Sequence, residues 1–299
     1  METDKKMIEF SIPDFYHLFD LNLALLNAME ENPEYFRENV KITSTYGVFP
    51  GCIWDAYCRN PGQSTYENIL NTIVPFNDRG ISVRLTFNNS KIEKNHLYDT
   101  YCNEILKIST MIRGKNDVKN GVILNSDILD EYIEKNYPSL TRIWSDEKIK
   151  SIEELNDLSS DRLVVYPYDM NNSEFLNDVK HPDNVEIDLD NFCIEHCQYK
   201  DEHHSNICEL QLLKYVEYFR CPYLPSDDYY DVIASRGHYV PYDYINDIYV
   251  SRGITKFRIL GGTKPPSIIN TIESYVNYLV KPELKDNARN KLLRIALYH

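Results

Sequence analysis

Residues 193–208 hold the densest group of side chains that could bind a metal. Three cysteines and three histidines lie within this segment. Thiolate and imidazole are preferred ligands of zinc, and cysteines also hold iron-sulfur clusters. We predict Cys193, Cys197, His203 and His204 as metal ligands, with zinc or an iron-sulfur cluster as the candidate cofactor. The spacing matches no standard zinc finger, so a loop of buried thiols and hydrogen-bonded histidines is the alternative.

Acidic side chains alternate along the stretch just before this segment. Glu186, Asp188 and Asp190 occupy every second position, so in a strand they all point to the same side. If that side faces the interior, the carboxylates must be paired, protonated or metal-bound. If it faces outward, the intervening apolar residues fill the interior instead. Asp190 reaches the end of the strand in both cases, and together with His238 it is a candidate proton carrier in catalysis.

Arg84 is a further candidate catalytic residue, because a guanidinium inside a protein core needs an anion. Its partner is either a protein carboxylate such as Asp188 or a carboxylate or phosphate group of a ligand. Four polar residues at or just beyond the ends of predicted strands are candidate substrate-binding residues: Asn88, Asn125, Asp169 and Asn191. We expect them to line one concavity together with His238.

Short β-rich runs alternate with helical runs along the chain, which is typical of parallel strands joined by crossover helices. Eight runs have the composition of strands: 42–48, 81–87, 121–125, 141–145, 163–166, 185–189, 235–240 and 256–260. This alternation predicts a single (β/α)8 barrel of the TIM type, with an open doubly wound sheet as the main alternative. In such a barrel the C-terminal ends of the strands form the active face, where the candidate residues should meet.

Residues 13–39 carry apolar side chains at helical spacing and precede the first predicted strand. We therefore expect an N-terminal helical extension at 1–40 that caps the floor of the barrel. The barrel itself is expected at 41–281, and a C-terminal helical tail at 282–299.

Charge and cysteine content narrow the choice of partners and compartment. A formal net charge of −14 over 299 residues would repel a phosphate backbone, so we do not expect nucleic acid as a partner. No apolar run approaches the roughly 20 residues of a membrane span, and the start of the chain does not resemble a signal peptide. We therefore expect a cytoplasmic protein without membrane contact. Its seven cysteines favour free thiols or metal ligands over disulfides.

Two stretches resemble the collagenase-like peptidase superfamily, which includes subunits of oxygen-independent hydroxylases. The first is 185–193 with Cys197 behind it, and the second runs from 238–245 through 253–262. The resemblance implies a barrel with its site at the strand ends, and in well-studied members four cysteines hold an iron-sulfur cluster. The cysteines of this chain that can be matched to those four are Cys193, Cys197, Cys208 and Cys221, at much shorter intervals.

These observations favour an enzyme that acts at the barrel mouth on a small or polymer-linked substrate, assisted by a metal or an iron-sulfur cluster. A metal-independent hydrolase or lyase that uses Asp and His near Arg84 is the alternative. A third interpretation is a non-catalytic subunit that binds a protein partner through its acidic surface.

Overall fold

Eight parallel strands close into a barrel in which each strand pairs with the next and the eighth pairs with the first. A computed structural model describes residues 6–56, 62–112, 117–170, 173–194, 196–223, 232, 234–235, 238–261 and 267–298. The strands are β1 Ile8–Pro13, β2 Val40–Gly47, β3 Ser82–Phe87, β4 Gly121–Leu124, β5 Thr141–Trp144, β6 Val164–Val165, β7 Val185–Asp188 and β8 Lys256–Arg258. The predicted (β/α)8 barrel of the TIM type is confirmed.

Helices surround the barrel and follow the strands along the chain. They are α1 Phe19–Glu31, α2 Tyr66–Asn77, α3 Thr100–Met111, α4 Asp127–Asn136, α5 Ile152–Leu158, α6 Ser173–Leu176, α7 Lys200–Gln211, α8 Tyr242–Tyr244, α9 Ile268–Leu279 and α10 Lys285–Tyr298. A π-helical turn, Ile245–Tyr249, continues α8. Within the described ranges, no helix combines the length and the apolar character needed to cross a membrane.

Five of the helices begin where a short polar side chain accepts a hydrogen bond from an otherwise unpaired backbone amide. The capping residues of α2, α3, α4, α5 and α9 are Thr65, Asp99, Ser126, Ser151 and Ser267. These caps end the loops before the five helices at a defined residue, and the strand-to-helix loops form the face that carries the candidate site.

The barrel starts earlier than the sequence analysis predicted. The segment 1–40, predicted as a helical extension, contains strand β1, which pairs with β2 on one side and with β8 on the other. Ile8, Phe10 and Ile12 alternate along β1 and are fully buried, as expected for the outward face of a barrel strand covered by helices. The predicted helical spacing does correspond to a helix, α1, which follows this strand.

The predicted strand at 235–240 is wrong. In its place the chain makes one isolated antiparallel bridge, between Asp190 and Tyr239, while β7 pairs directly with β8. Residues 236 and 237 lie outside the described residues. The β-rich composition of this stretch is explained by burial instead, because Val240 packs in the core and its amide donates to the Leu189 carbonyl.

Two cores lie on the two faces of the sheet. The larger one is between the strands and the helices and includes Val185, Ile187 and Leu189. Each such fully buried side chain stabilises the fold by about 1.5–3 kcal/mol. The smaller one, inside the barrel, consists of Tyr46, Ile123, Ile143 and Val165. Polar and charged side chains fill the rest of the interior, and they build the site described next.

Candidate functional site

An ion pair crosses the interior of the barrel from β3 to β7. Nη1 of Arg84 donates to both carboxylate oxygens of Glu186, at 2.8 and 3.0 Å. Ser11 on β1 also donates to Glu186, at 2.5 Å, and contacts the hydroxyl of Ser44 on β2. Although burial opposes it, Arg84 and the other donors hold the pKa of Glu186 below its ordinary value. We call these four residues the floor network.

The floor network settles two questions that the sequence left open. The alternating acids face inward, because Glu186 on β7 meets Arg84 on β3 across the barrel. The prediction that Arg84 contacts a carboxylate is confirmed, although its partner is Glu186 and not Asp188. In this structure the Arg84 guanidinium therefore has a protein carboxylate as its partner.

A second Arg–carboxylate pair lies two residues further along β7. Asp188 sits opposite Arg258 of β8 in the sheet register, with Oδ1 and Nε 3.3 Å apart. The Arg258 guanidinium stacks over the Tyr46 ring at 4.3 Å from its centroid. Burial raises the pKa of Asp188 to about 7; Arg258 opposes the shift, and the neighbouring carboxylate of Asp146 adds to it. We call Asp188, Arg258 and Tyr46 the upper network.

Asp146 follows strand β5 at the C-terminal face. Its Oδ1 accepts a hydrogen bond from Ser145 at 3.2 Å. Burial raises the pKa of Asp146 to about 6, and repulsion from Glu147 adds to this, while Lys200 and Arg258 oppose it. Asp146 and Asp188 are therefore two carboxyl groups that gain and lose protons near neutral pH, at the active face of the barrel.

Glu147 connects the ends of three strands. It accepts from Ser145, which directly follows β5, and from the Asn88 amide after β3, at 3.4 Å to each oxygen. His204 places Nδ1 3.4 Å from Glu147 Oε1, and its Nε2 lies 3.4 Å from the Asn125 amide after β4. The predicted substrate-binding residues Asn88 and Asn125 thus lie within one polar group with Glu147 and His204.

A second polar group surrounds Lys200. Its ammonium donates to Asp169 Oδ2 at 2.7 Å and lies 4.0 Å from the centroid of the Tyr168 ring. His238 stands edge-on to Tyr168, with ring centroids 4.7 Å apart, and its Nε2 is 3.7 Å from Asp169 Oδ1. Although burial lowers it, Asp146 and Asp169 raise the pKa of Lys200 overall. Two residues predicted for the site, Asp169 and His238, therefore meet here.

Asp190 and Asn191 have structural partners. The Asp190 carboxylate is fully buried and accepts hydrogen bonds from the amides of Leu260 and Gly261 and from Ser274, at 2.6, 3.1 and 2.5 Å. It thereby ties the loop after β8 to helix α9. The Asn191 side chain accepts from the amide of Cys193 at 2.9 Å. This geometry favours a structural carboxylate at 190, not a proton carrier.

The four predicted metal ligands do not form one cluster. Cys193 and Cys197 are neighbours, and burial raises the pKa of the Cys193 thiol, as does Cys197 beside it. His203 instead packs on the Phe219 ring, with centroids 5.1 Å apart, and His204 turns to Glu147. In the part of the chain that the structure describes, no three His, Cys, Asp or Glu side chains are grouped to hold a metal ion. The predicted set fits neither zinc nor an iron-sulfur cluster.

Sequence reasoning missed Asp146, Glu147, Lys200 and Arg258. Asp146 and Glu147 directly follow the predicted strand 141–145, so their position at the active face was readable from the alternation. Lys200 lies inside the segment rich in cysteine and histidine, whose thiols and imidazoles are the more obvious metal ligands. Arg258, like Arg84, is a charged residue within an apolar strand, and the same argument predicts that it pairs with an anion inside the barrel.

Comparison with known proteins identifies the fold. No protein family and no curated protein matches the sequence. The fold is similar to a solved structure, that of the U32 peptidase Mk0906, with a TM-score of 0.50. The two chains are 14% identical, and the match covers 87% of this chain and 95% of the other. At this identity the likeness shows a shared barrel architecture.

Proposed function

We propose that this protein is an enzyme distantly related to the collagenase-like peptidases, and that it hydrolyses amide bonds at the barrel mouth. The observation that carries the proposal is the carboxyl pair Asp146 and Asp188. Both groups sit at the C-terminal ends of barrel strands, with pKa values of about 6 and about 7. Enzymes of this fold place their chemistry there, and general acid–base catalysts work best when their pKa lies near the working pH.

The chemistry requires one carboxylate and one carboxylic acid. The ionised group takes a proton from water as the water oxygen attacks the carbonyl carbon. The protonated group donates to the departing amine as the carbon–nitrogen bond breaks, so a carboxylic acid and an amine leave. We assign Asp146 as the base, because it has the lower pKa and is the more exposed of the two. Asp188 would hold the proton.

Two cations beside the pair have supporting roles. Lys200, next to Asp146, would stabilise the negative charge that develops on the carbonyl oxygen. Arg258 lies against Asp188 and opposes its pKa rise, so this carboxyl can still ionise near neutral pH. One solved structure of similar fold is that of a U32 peptidase, which supports peptides as the first substrates to examine.

The test is cleavage of a diverse pool of internally quenched peptides, and of gelatin, followed by fluorescence and mass spectrometry between pH 4.5 and 9. Wild-type protein should give a bell-shaped profile with its maximum between about 6 and 7. Asp146→Asn and Asp188→Asn should each lower kcat/KM at least about a hundredfold. Asp157→Asn, on the exposed end of helix α5, is the matched control and should cleave normally.

Two results would contradict the proposal. Full activity in both active-face variants would show that the carboxyl pair is not catalytic. Absence of cleavage across the whole peptide pool by folded wild-type protein would exclude amide hydrolysis of peptides as the reaction.

A further inference from the structure

Helix α7 lies over the mouth of the barrel and contacts one strand end after another. Its first residue, Lys200, is bonded to Asp169, in the loop after β6. One turn later, His204 reaches Glu147 after β5 and Asn125 after β4. The helix therefore passes over three neighbouring strand ends within its first five residues.

The second half of α7 continues in the same direction. The Cys208 carbonyl accepts a hydrogen bond from the Asn89 side chain after β3, at 3.1 Å. The Gln211 side chain donates to the Cys52 carbonyl, in the loop after β2, at 2.5 Å. The contacts recur every three or four residues, so a single face of the helix looks down on the barrel.

The path of the helix spans the full width of the mouth. In a closed ring of eight strands, β2 and β6 lie four positions apart and therefore on opposite sides. A helix of 12 residues is about 18 Å long, enough to cross from one side to the other. Asp146, one of the two carboxyl groups proposed to carry the chemistry, lies close enough to Lys200 of this helix to raise the pKa of its ammonium.

Helix α7 is held over the barrel mouth mainly by polar contacts. Of the residues of α7, Cys208, Leu210 and Gln211 are the buried ones, whereas helix α9 buries eight residues, among them Ile272, Val276 and Leu279. Ion pairs and hydrogen bonds contribute little net stability because water replaces them when they break. Lifting α7 therefore costs much less than detaching a helix of the barrel wall.

We propose that α7 is a lid, which closes the mouth in this structure and swings away to admit substrate. The proposal concerns access to the mouth and holds whatever reaction takes place there. Lids of this kind shield the reacting groups from water once the substrate is bound. Lys200, bonded to Asp169, and Gln211, bonded to the Cys52 carbonyl, hold its two ends in the closed position; we call these two residues the latch residues.

Cys208 is a built-in reporter of this motion. Its thiol is fully buried and lies on the lid, 3.4 Å from His204 Nε2. Cys102 is equally buried but belongs to helix α3, in the barrel wall. Alkylation of native protein with iodoacetamide, quantified for each cysteine by peptide mass spectrometry and normalised to unfolded protein, should modify Cys208 at least about tenfold faster than Cys102.

Variants of the two latch residues test whether Cys208 becomes accessible because the helix lifts. Lys200→Met and Gln211→Ala should each speed alkylation of Cys208 about threefold or more and leave Cys102 unchanged. The matched control is Lys150→Met, which removes an exposed ion pair with Asp201 on the outer side of the same helix and should alter neither rate. Equal rates for the two thiols in wild-type protein, or a parallel rise of both in the variants, would overturn the lid.

Discussion

Two buried Arg–carboxylate pairs lie one above the other inside the same barrel, and they differ in how completely they are hydrogen-bonded. In the floor network, Glu186 accepts two bonds from Arg84 and another from Ser11, so its carboxylate stays ionised. In the upper network, Asp188 and Arg258 approach to 3.3 Å, yet Oδ1 and Nε have no hydrogen-bond partner among the described residues.

The consequence is opposite pKa shifts in carboxyl groups two residues apart on one strand. The pKa of Glu186 is lowered, whereas that of Asp188 is raised to about 7. Burial raises the pKa of both groups. At Glu186 it is outweighed by the guanidinium groups of Arg84 and Arg258 and by hydrogen bonds from Ser11 and Arg84. At Asp188 the guanidinium of Arg258 opposes it, but the neighbouring carboxylates of Asp146, Glu186 and Asp190 add to it.

The largest expected effect is on the floor network. Arg84→Ala should lower the free energy of unfolding by about 3–5 kcal/mol, because it leaves the Glu186 carboxylate buried without its partner. Urea denaturation at pH 7 measures this loss. Arg79→Ala, which removes a surface pair with Glu30, is the control and should cost about 0–1 kcal/mol. A similar small cost for both variants would show that the floor pair is not needed for stability.

The dependence of stability on pH should separate the two carboxyl groups. Asp188 has a folded pKa above its unfolded value of about 3.9, so it contributes stability at low pH that is lost as pH rises to about 7. The loss is on the order of 4 kcal/mol. Glu186 has the opposite sign: its contribution is present above its unfolded pKa and lost as pH falls through the lowered folded value.

Denaturation curves measured at intervals from about pH 2 to about pH 8 test this separation, because the Glu186 contribution changes below its unfolded pKa and the Asp188 contribution above its own. Asp188→Asn should flatten the decline between about pH 4 and 7, leaving the parts that Asp146 and Asp190 contribute with the same sign, because burial raises the pKa of both. Glu186→Gln should leave that decline in place and remove the gain in stability seen as pH rises from the acid end. An unchanged slope in the Asp188 variant would mean that this group titrates normally.

The smallest effect concerns a single donor in the floor network. Ser11→Ala removes one hydrogen bond to a buried carboxylate and should cost about 1–2 kcal/mol in the free energy of unfolding. Ser160→Ala, at an exposed turn, is the comparison and should lie within about 0.5 kcal/mol of wild type. Equal values would indicate that Arg84 alone satisfies Glu186.

The sequence predicted the barrel because alternation of strands and helices survives an error in one strand. Strand β1 was not predicted, because the six residues of this strand come just before a longer run of apolar residues at helical spacing. The segment 235–240 was predicted as the eighth strand instead. The predicted strand ends put Asn88, Asn125 and Asp169 at the C-terminal face, and in the structure these residues follow β3, β4 and β6. His238 was predicted there from the strand 235–240, which is wrong, although His238 does lie beside Asp169.

Which side chains pair with each other inside the barrel could not be predicted from the sequence. The alternation of acidic residues predicts that Glu186 and Asp188 lie on the same side of a strand. The ion pair between Glu186 and Arg84 across the barrel shows that this side faces inward. Distinguishing a saturated carboxylate from an unsaturated one requires distances, such as the 2.8 Å at Glu186 and the 3.3 Å at Asp188.

The position of β1 has a consequence for how the chain reaches its fold during synthesis. Ser11 pairs in the sheet with Arg258, so this edge of β1 stays open until the ribosome has made almost all of the barrel. Contacts between residues so distant along the chain form slowly, and exposed strand edges invite pairing with other chains. The nascent chain is therefore most prone to aggregate in the period before β8 pairs with β1 and closes the barrel.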